Sequence, residues 1–235
     1  MDILVNGSSM SRGAGSWPYY LQALLDCNLV NLALGRSGNT YIHDSTISEL
    51  SQRKYDMVLI MWATEGRMDL RVGDLSQFAN SDGTSLYQTS MNDWPSKTIH
   101  PINDQDYIQK DWIFSFNRSK KIGTDSVEQL FQPIHSLVKH EQYMESDLIK
   151  MISLQGVLKS LNIPYKFMFW WDFKKFSRFN NYYNMLDWSN IYLGTSLETI
   201  GKENNCYHAD GIHFNEHANE LYAKHLAEYL LNEQK

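Results

Sequence analysis

An apolar run at residues 3–5 ends in Asn6-Gly7-Ser8-Ser9. A hydroxyl on the turn after a buried strand stands at the carboxyl edge of a sheet, where α/β proteins bind ligands. Small and polar residues lead from this turn toward a helix, so the backbone amides around Ser9 favour negative charge. Near the other end of the chain the sequence reads Asp210-Gly211-Ile212-His213. An Asp three residues before a His accepts a hydrogen bond from Nδ1 within one tight turn. That fixes the tautomer and leaves Nε2 to take a proton from a serine. A hydroxyl, a base and an orienting carboxylate are the ingredients of nucleophilic acyl transfer.

On these two stretches the sequence resembles the SGNH (GDSL-type) hydrolase superfamily. Gly7-Ser8-Ser9-Met10-Ser11 is similar to its first block, with Ser8 where the family usually has Asp, and Asp210-Gly211-Ile212-His213 matches its last. The resemblance implies Ser9 as nucleophile, His213 as general base and Asp210 as the orienting acid. Gly35-Arg36-Ser37-Gly38-Asn39-Thr40 resembles the second block. There the amide of Gly38 would join that of Ser9 in an oxyanion hole, and one such donor is worth roughly 3 kcal/mol of barrier. In the third block the family carries Gly-x-Asn-Asp, whose Asn side chain is a further donor. Here the segment is Trp62-Ala63-Thr64-Glu65-Gly66-Arg67, so Thr64 stands in for that Asn. A hydroxyl donates one hydrogen bond and reaches less far than an amide. A subset of phage-type and bacterial members carries a similar Trp-x-Thr/Ser…Arg segment. Arg67, Trp171 and Asp172 are candidate substrate contacts.

The function this resemblance implies is a serine esterase acting on O-acyl esters, foremost the O-acetyl groups of carbohydrates. It would use no cofactor, and its partner would be a small-molecule or glycan ester. The alternative is a non-catalytic carbohydrate-binding or structural module on the same fold. His208, Asp210, His213 and His217 are ligand types at close spacing, but His217 falls on a helix, His213 before it, and no His-Glu-x-x-His pattern is present, so no metal is expected.

The elements that would position these residues follow from periodicity. Strands are expected at residues 3–6, 29–34, 56–62 and 165–171, with a short fifth at 191–193. The third is apolar on both faces, as parallel strands are. Helices are expected at 18–25, opened by Ser16-Trp17-Pro18, at 41–53, within 124–161 with a break at Pro133, and from an Asn215 cap to 231. The long helical segment offers Leu148, Ile149, Ile152, Leu154, Leu158 and Leu161 to a core, and the last helix a stripe that includes Tyr222, His225 and Leu226. His135 and His140 read as structural or exposed rather than catalytic. Strand–helix alternation predicts a three-layer α/β/α, flavodoxin-like parallel sheet. The whole of 1–235 is expected to be one domain. Residues 68–121 lose the pattern and are too long for a bare loop, so they are expected to form an insertion over the carboxyl edge of the sheet.

Composition bounds the alternatives. The formal net charge is −6, which argues against nucleic acid as the main partner. No run is long and apolar enough for a membrane span. Met1-Asp2 leads straight into the first strand with no visible signal peptide, so a cytoplasmic or virion-associated protein is expected. Cys27 and Cys206 form no disulfide framework and are expected to be buried thiols. The 7 Trp, 14 Tyr and 10 Phe are an excess, and Phe167-Met168-Phe169-Trp170-Trp171 with Tyr182, Tyr183 and Trp188 would suit either a core or a groove for sugar rings.

Overall fold

The first apolar run forms β1 (Asp2–Gly7), which pairs in parallel with its neighbours on both sides. The computed structural model describes residues 1–35, 37–64, 67–71, 112–116, 137–171, 173, 177, 179–209 and 213–233. After β1 the chain runs through α1 (Trp17–Leu25), β2 (Asn28–Asn31), α2 (Asn39–Leu50) and β3 (Met57–Trp62). A hairpin of β4 (Arg67–Arg71) and β5 (Trp112–Phe116) follows, then α3 (His140–Ser160) and β6 (Tyr165–Phe169). The short α4 (Asn180–Tyr183), α5 (Leu197–Asn204) and the closing α6 (Glu216–Glu233) complete it.

The parallel sheet has the order β2-β1-β3-β6. Among the described residues it has four strands where five were expected. The stretch at 191–193 contributes a single parallel bridge, Ile191 to Phe167, directly after the 3-10 turn Trp188–Asn190. Side chains alternate across each strand. Leu4, Val58, Ile60, Trp62 and Phe167 therefore join α2 and α3 in one core, while Ile3, Val5, Leu59, Met61 and Met168 join α1 and α6 in the other. This is the expected three-layer arrangement. Burial of each large apolar side chain in these layers stabilises the fold by about 2 kcal/mol.

Several local expectations are corrected. Helix α3 faces the core with Met144, Leu148, Met151, Leu154 and Leu158, a three-and-four spacing, whereas Ile149 and Leu161 are about half exposed. On α6, His225 points to solvent and Ala223 and Ala227 complete the buried stripe. The aromatic run at the end of β6 is largely core: Phe169 stacks on Phe173 at 3.6 Å, and Trp171 packs edge-on to Phe169 and is buried. Both cysteines are buried free thiols. Of the expected insertion, the β4–β5 hairpin is described. The remainder of that segment lies outside the described residues, as does Pro133 with the rest of 117–136. No helix among the described residues is long and apolar enough to cross a membrane.

Candidate active site

The turn after β1 is held from every side. Asn6 is fully buried, and its Nδ2 donates to the Ile42 carbonyl, Ser45 Oγ and Thr46 Oγ1 of α2 while its Oδ1 accepts the Gly7 amide. A Cβ on Gly7 would lie 2.5 Å from Ser11 Oγ and 3.0 Å from the Met61 carbonyl, so only glycine fits there. Ser37 Oγ donates to the Gly7 carbonyl at 3.1 Å, and Leu34 N–H donates to the same oxygen at 3.2 Å. The chain then enters a 3-10 turn, Ser9–Ser11. Ser8 is completely buried, and its Oγ has no hydrogen-bond partner among the described residues. Ser9 is partly exposed at the opening of the 3-10 turn. Of the two adjacent hydroxyls, the solvent-facing one is therefore Ser9.

The other half comes from the segment before α6. Tyr207 and Phe214 form an antiparallel bridge, His208 N–H donates to the His213 carbonyl at 2.8 Å, and Asn215 N–H donates to the Cys206 carbonyl at 3.1 Å. Phe214 is the plug beneath: it is buried, packs on Tyr207 and Trp170, and presses so closely on Gly201 that a Cβ there would collide with its ring. Asn215 caps α6 as expected, its Oδ1 accepting the Ala218 amide at 3.1 Å. The result is that Ser9 Oγ lies 3.1 Å from His213 Nε2, across 204 residues of sequence. Both side chains are partly exposed, so a substrate can reach them.

One relay of hydrogen bonds joins the two halves. Trp17 Nε1 donates to Ser11 Oγ at 3.0 Å, Trp17 N–H donates to Asn219 Oδ1 at 3.1 Å, and Asn219 Nδ2 donates to the Phe214 carbonyl at 3.0 Å. Trp17 also packs edge-on to Tyr222, centroids 5.9 Å apart. Neither Trp17 nor Asn219 stands out in the sequence as a site residue. Their role is visible only once α1 and α6 are seen side by side.

The donors expected around an oxyanion lie on neighbouring loops. In the sheet Gly7 pairs with Met61, so Ser9 and Thr64 leave adjacent strands over the same carboxyl edge. Thr64 is partly exposed there. The exit of β3 is fixed by Asn39, whose Nδ2 donates to the Ala63 carbonyl at 3.2 Å and whose Oδ1 accepts the Ala63 amide at 2.8 Å. Gly38 precedes Asn39 at the start of α2, and its amide donates to Asp69 Oδ1 at 2.7 Å. Arg67 is partly exposed, with Nη1 donating to the Ser37 carbonyl at 2.8 Å. Burial pushes the Asp69 carboxyl up to about 6, against the two amides it accepts and the nearby Arg67. Asp69 falls in the stretch where the sequence pattern breaks.

Asp210 and Asp172 lie outside the described residues, and Trp171 sits in the core. His208 and His217 line a surface hollow with Tyr20, Asn215, Glu216 and Glu220. Among the described residues no three His, Cys, Asp or Glu side chains are grouped as metal ligands.

No protein-family model and no curated protein matches this sequence. Solved structures are similar to it. The psychrotrophic esterase EstA from Pseudoalteromonas sp., in a structure inhibited by monoethylphosphonate, superposes with a TM-score of 0.54 at 11% identity, over 98% of this chain and 97% of that one. A G-D-S-L family protein from Desulfitobacterium hafniense DCB-2 follows at 0.48, with 10% identity over 97% and 98% of the two chains. An acetyl xylan esterase, AlAXEase, superposes at 0.44, with 11% identity over 97% and 99%. The first likeness spans both halves of the site, and this chain shares its fold with that esterase.

Proposed function

We propose that this chain is a serine esterase that hydrolyses O-acyl esters through an acyl-enzyme on Ser9. The observation that carries the proposal is the 3.1 Å approach of Ser9 Oγ to His213 Nε2. At that distance the imidazole takes the hydroxyl proton as Oγ attacks the ester carbonyl carbon. The carbonyl oxygen becomes an oxyanion, met by the Ser9 and Gly38 amides and the Thr64 hydroxyl. As the tetrahedral centre collapses, the ester C–O bond breaks and His213 returns its proton to the departing alkoxide. Water then attacks the acyl-enzyme with His213 again as base, releasing the carboxylic acid and restoring Ser9. Asp210, three residues before the base, orients its ring.

Within this class we propose acetyl groups of carbohydrates as the substrate, on the family resemblance of the site motifs. The aromatic excess supports this less than composition alone implied, because Phe169, Trp171 and Phe173 are spent in the core. Arg67, Asp172 and Thr64 are the side chains proposed to meet the ester.

The test is a fluorophosphonate or phosphonate probe, with acetylated glycans and short-chain p-nitrophenyl esters as substrates. Wild type is expected to gain one covalent adduct and to turn over esters. Ser9→Ala is expected to lose the adduct and at least about a thousandfold in kcat. A folded wild type that takes no adduct and cleaves no ester favours a non-catalytic binding module.

A further inference from the structure

Gly38 supplies one of the three oxyanion donors, yet its amide is already engaged. Asp69 Oδ1 accepts it at 2.7 Å, and Asp69 Oδ2 accepts the Tyr41 amide at 2.8 Å. The carboxylate reaches across from β4 and is 6% exposed. It therefore occupies the first turn of α2, the place where free amides and the helix dipole draw an anion. Side chains two residues apart on a strand share a face. Arg67 accordingly lies beside Asp69, and a Cβ on Gly38 would stand 2.8 Å from Arg67 Cβ and 2.9 Å from Asp69 Oδ1. The glycine is needed here for space, since its φ of −103° is open to any residue.

An amide has one hydrogen. While it is bonded in line to a carboxylate it does not serve a second anion equally well, and the fixed negative charge opposes charge developing on a substrate oxygen next to it. We propose that Asp69 is a positioning residue that holds the Gly38 amide in reserve: its carboxylate takes that donor in the resting enzyme and must turn off it before Gly38 faces the oxyanion. The proposal rests on Ser9 and Gly38 having the roles given above. The groups that act on Asp69 are the Tyr41 and Gly38 amides of the α2 turn, Arg67 on its own strand and Lys150 on α3, whose positive charges favour the ionised carboxylate.

Two measurements test it. Asp69→Asn keeps the size of the side chain, removes the charge and leaves one oxygen to accept only one of the two amides. Its kcat on a p-nitrophenyl ester is expected to rise about tenfold with KM unchanged. A purely structural Asp69 gives a lower melting temperature with kcat unchanged or reduced, and a folded variant of that kind overturns the proposal. Should Asp69→Asn not fold, wild type answers by itself. In a ¹⁵N- and ¹³C-labelled sample treated with a phosphonate, the Gly38 amide and the Asp69 carboxyl carbon are both expected to shift as the Ser9 adduct forms. An adduct that leaves both resonances in place overturns the proposal. Failure to form any Ser9 adduct, read by mass, instead overturns the esterase function and with it the premise of the gate.

Discussion

At the scale of single residues, the carboxyl of Asp69 links the site to the stability of the whole. Its folded value of about 6 lies above the ordinary 3.8 because burial outweighs the two amides and the cations that favour its charge. The folded protein therefore holds this proton more tightly than the unfolded chain. Between about pH 4 and pH 6 the folded state binds the extra proton, so stability falls as pH rises through that window and levels off above it. The shift corresponds to about 3 kcal/mol at most. In denaturant titrations at pH 5 and pH 7, wild type is expected to lose more stability on going to the higher pH than Asp69→Asn does. Equal losses in the two proteins contradict the assignment.

At the scale of elements, the site depends on how α1 and α6 meet. Asn219 accepts from Trp17 and donates to the Phe214 carbonyl, so it sets how far the His213 segment stands from the Ser9 turn. Removing it leaves a buried amide and a carbonyl without partners, at about 1–3 kcal/mol each. Asn219→Ala is expected to unfold at lower denaturant and to lose kcat more than its KM changes, measured by chemical unfolding and steady-state kinetics. A variant destabilised but fully active shows that the relay leaves the pair unaffected. Much of this level was legible in the sequence. Alternating strands and helices with apolar faces place β1, β3, β6, α1 and α6 within a few residues, because burial periodicity is a local signal. The pairing of Ser9 with His213 was legible only through motif resemblance, since nothing local marks two residues that meet across the fold. Asn6, Asn39 and Asp69 were not legible as site-builders. Each is a polar residue whose partners lie on another element, and a buried polar side chain looks like any loop residue until those partners are known. His225, Ile149 and Leu161 misled for a related reason: helix periodicity offers more apolar positions than one neighbouring layer can cover.

At the scale of the whole molecule, the two halves of the site sit on opposite ends of the sheet's construction. β1 lies inside the sheet between β2 and β3, and α6 packs across the face that β1, β3 and β6 form together. The approach of Ser9 to His213 therefore exists only when the entire layered structure does. Ester hydrolysis and far-ultraviolet circular dichroism are expected to disappear at the same urea concentration, within the error of each midpoint. Loss of activity well before loss of helix signal would mean that the segment around His213 opens on its own. The separation of 204 residues also has a meaning during synthesis. On the ribosome the Ser9 turn is made long before the codon for His213 is read, so under the proposed function a nascent chain or a truncated fragment carries an inert alcohol.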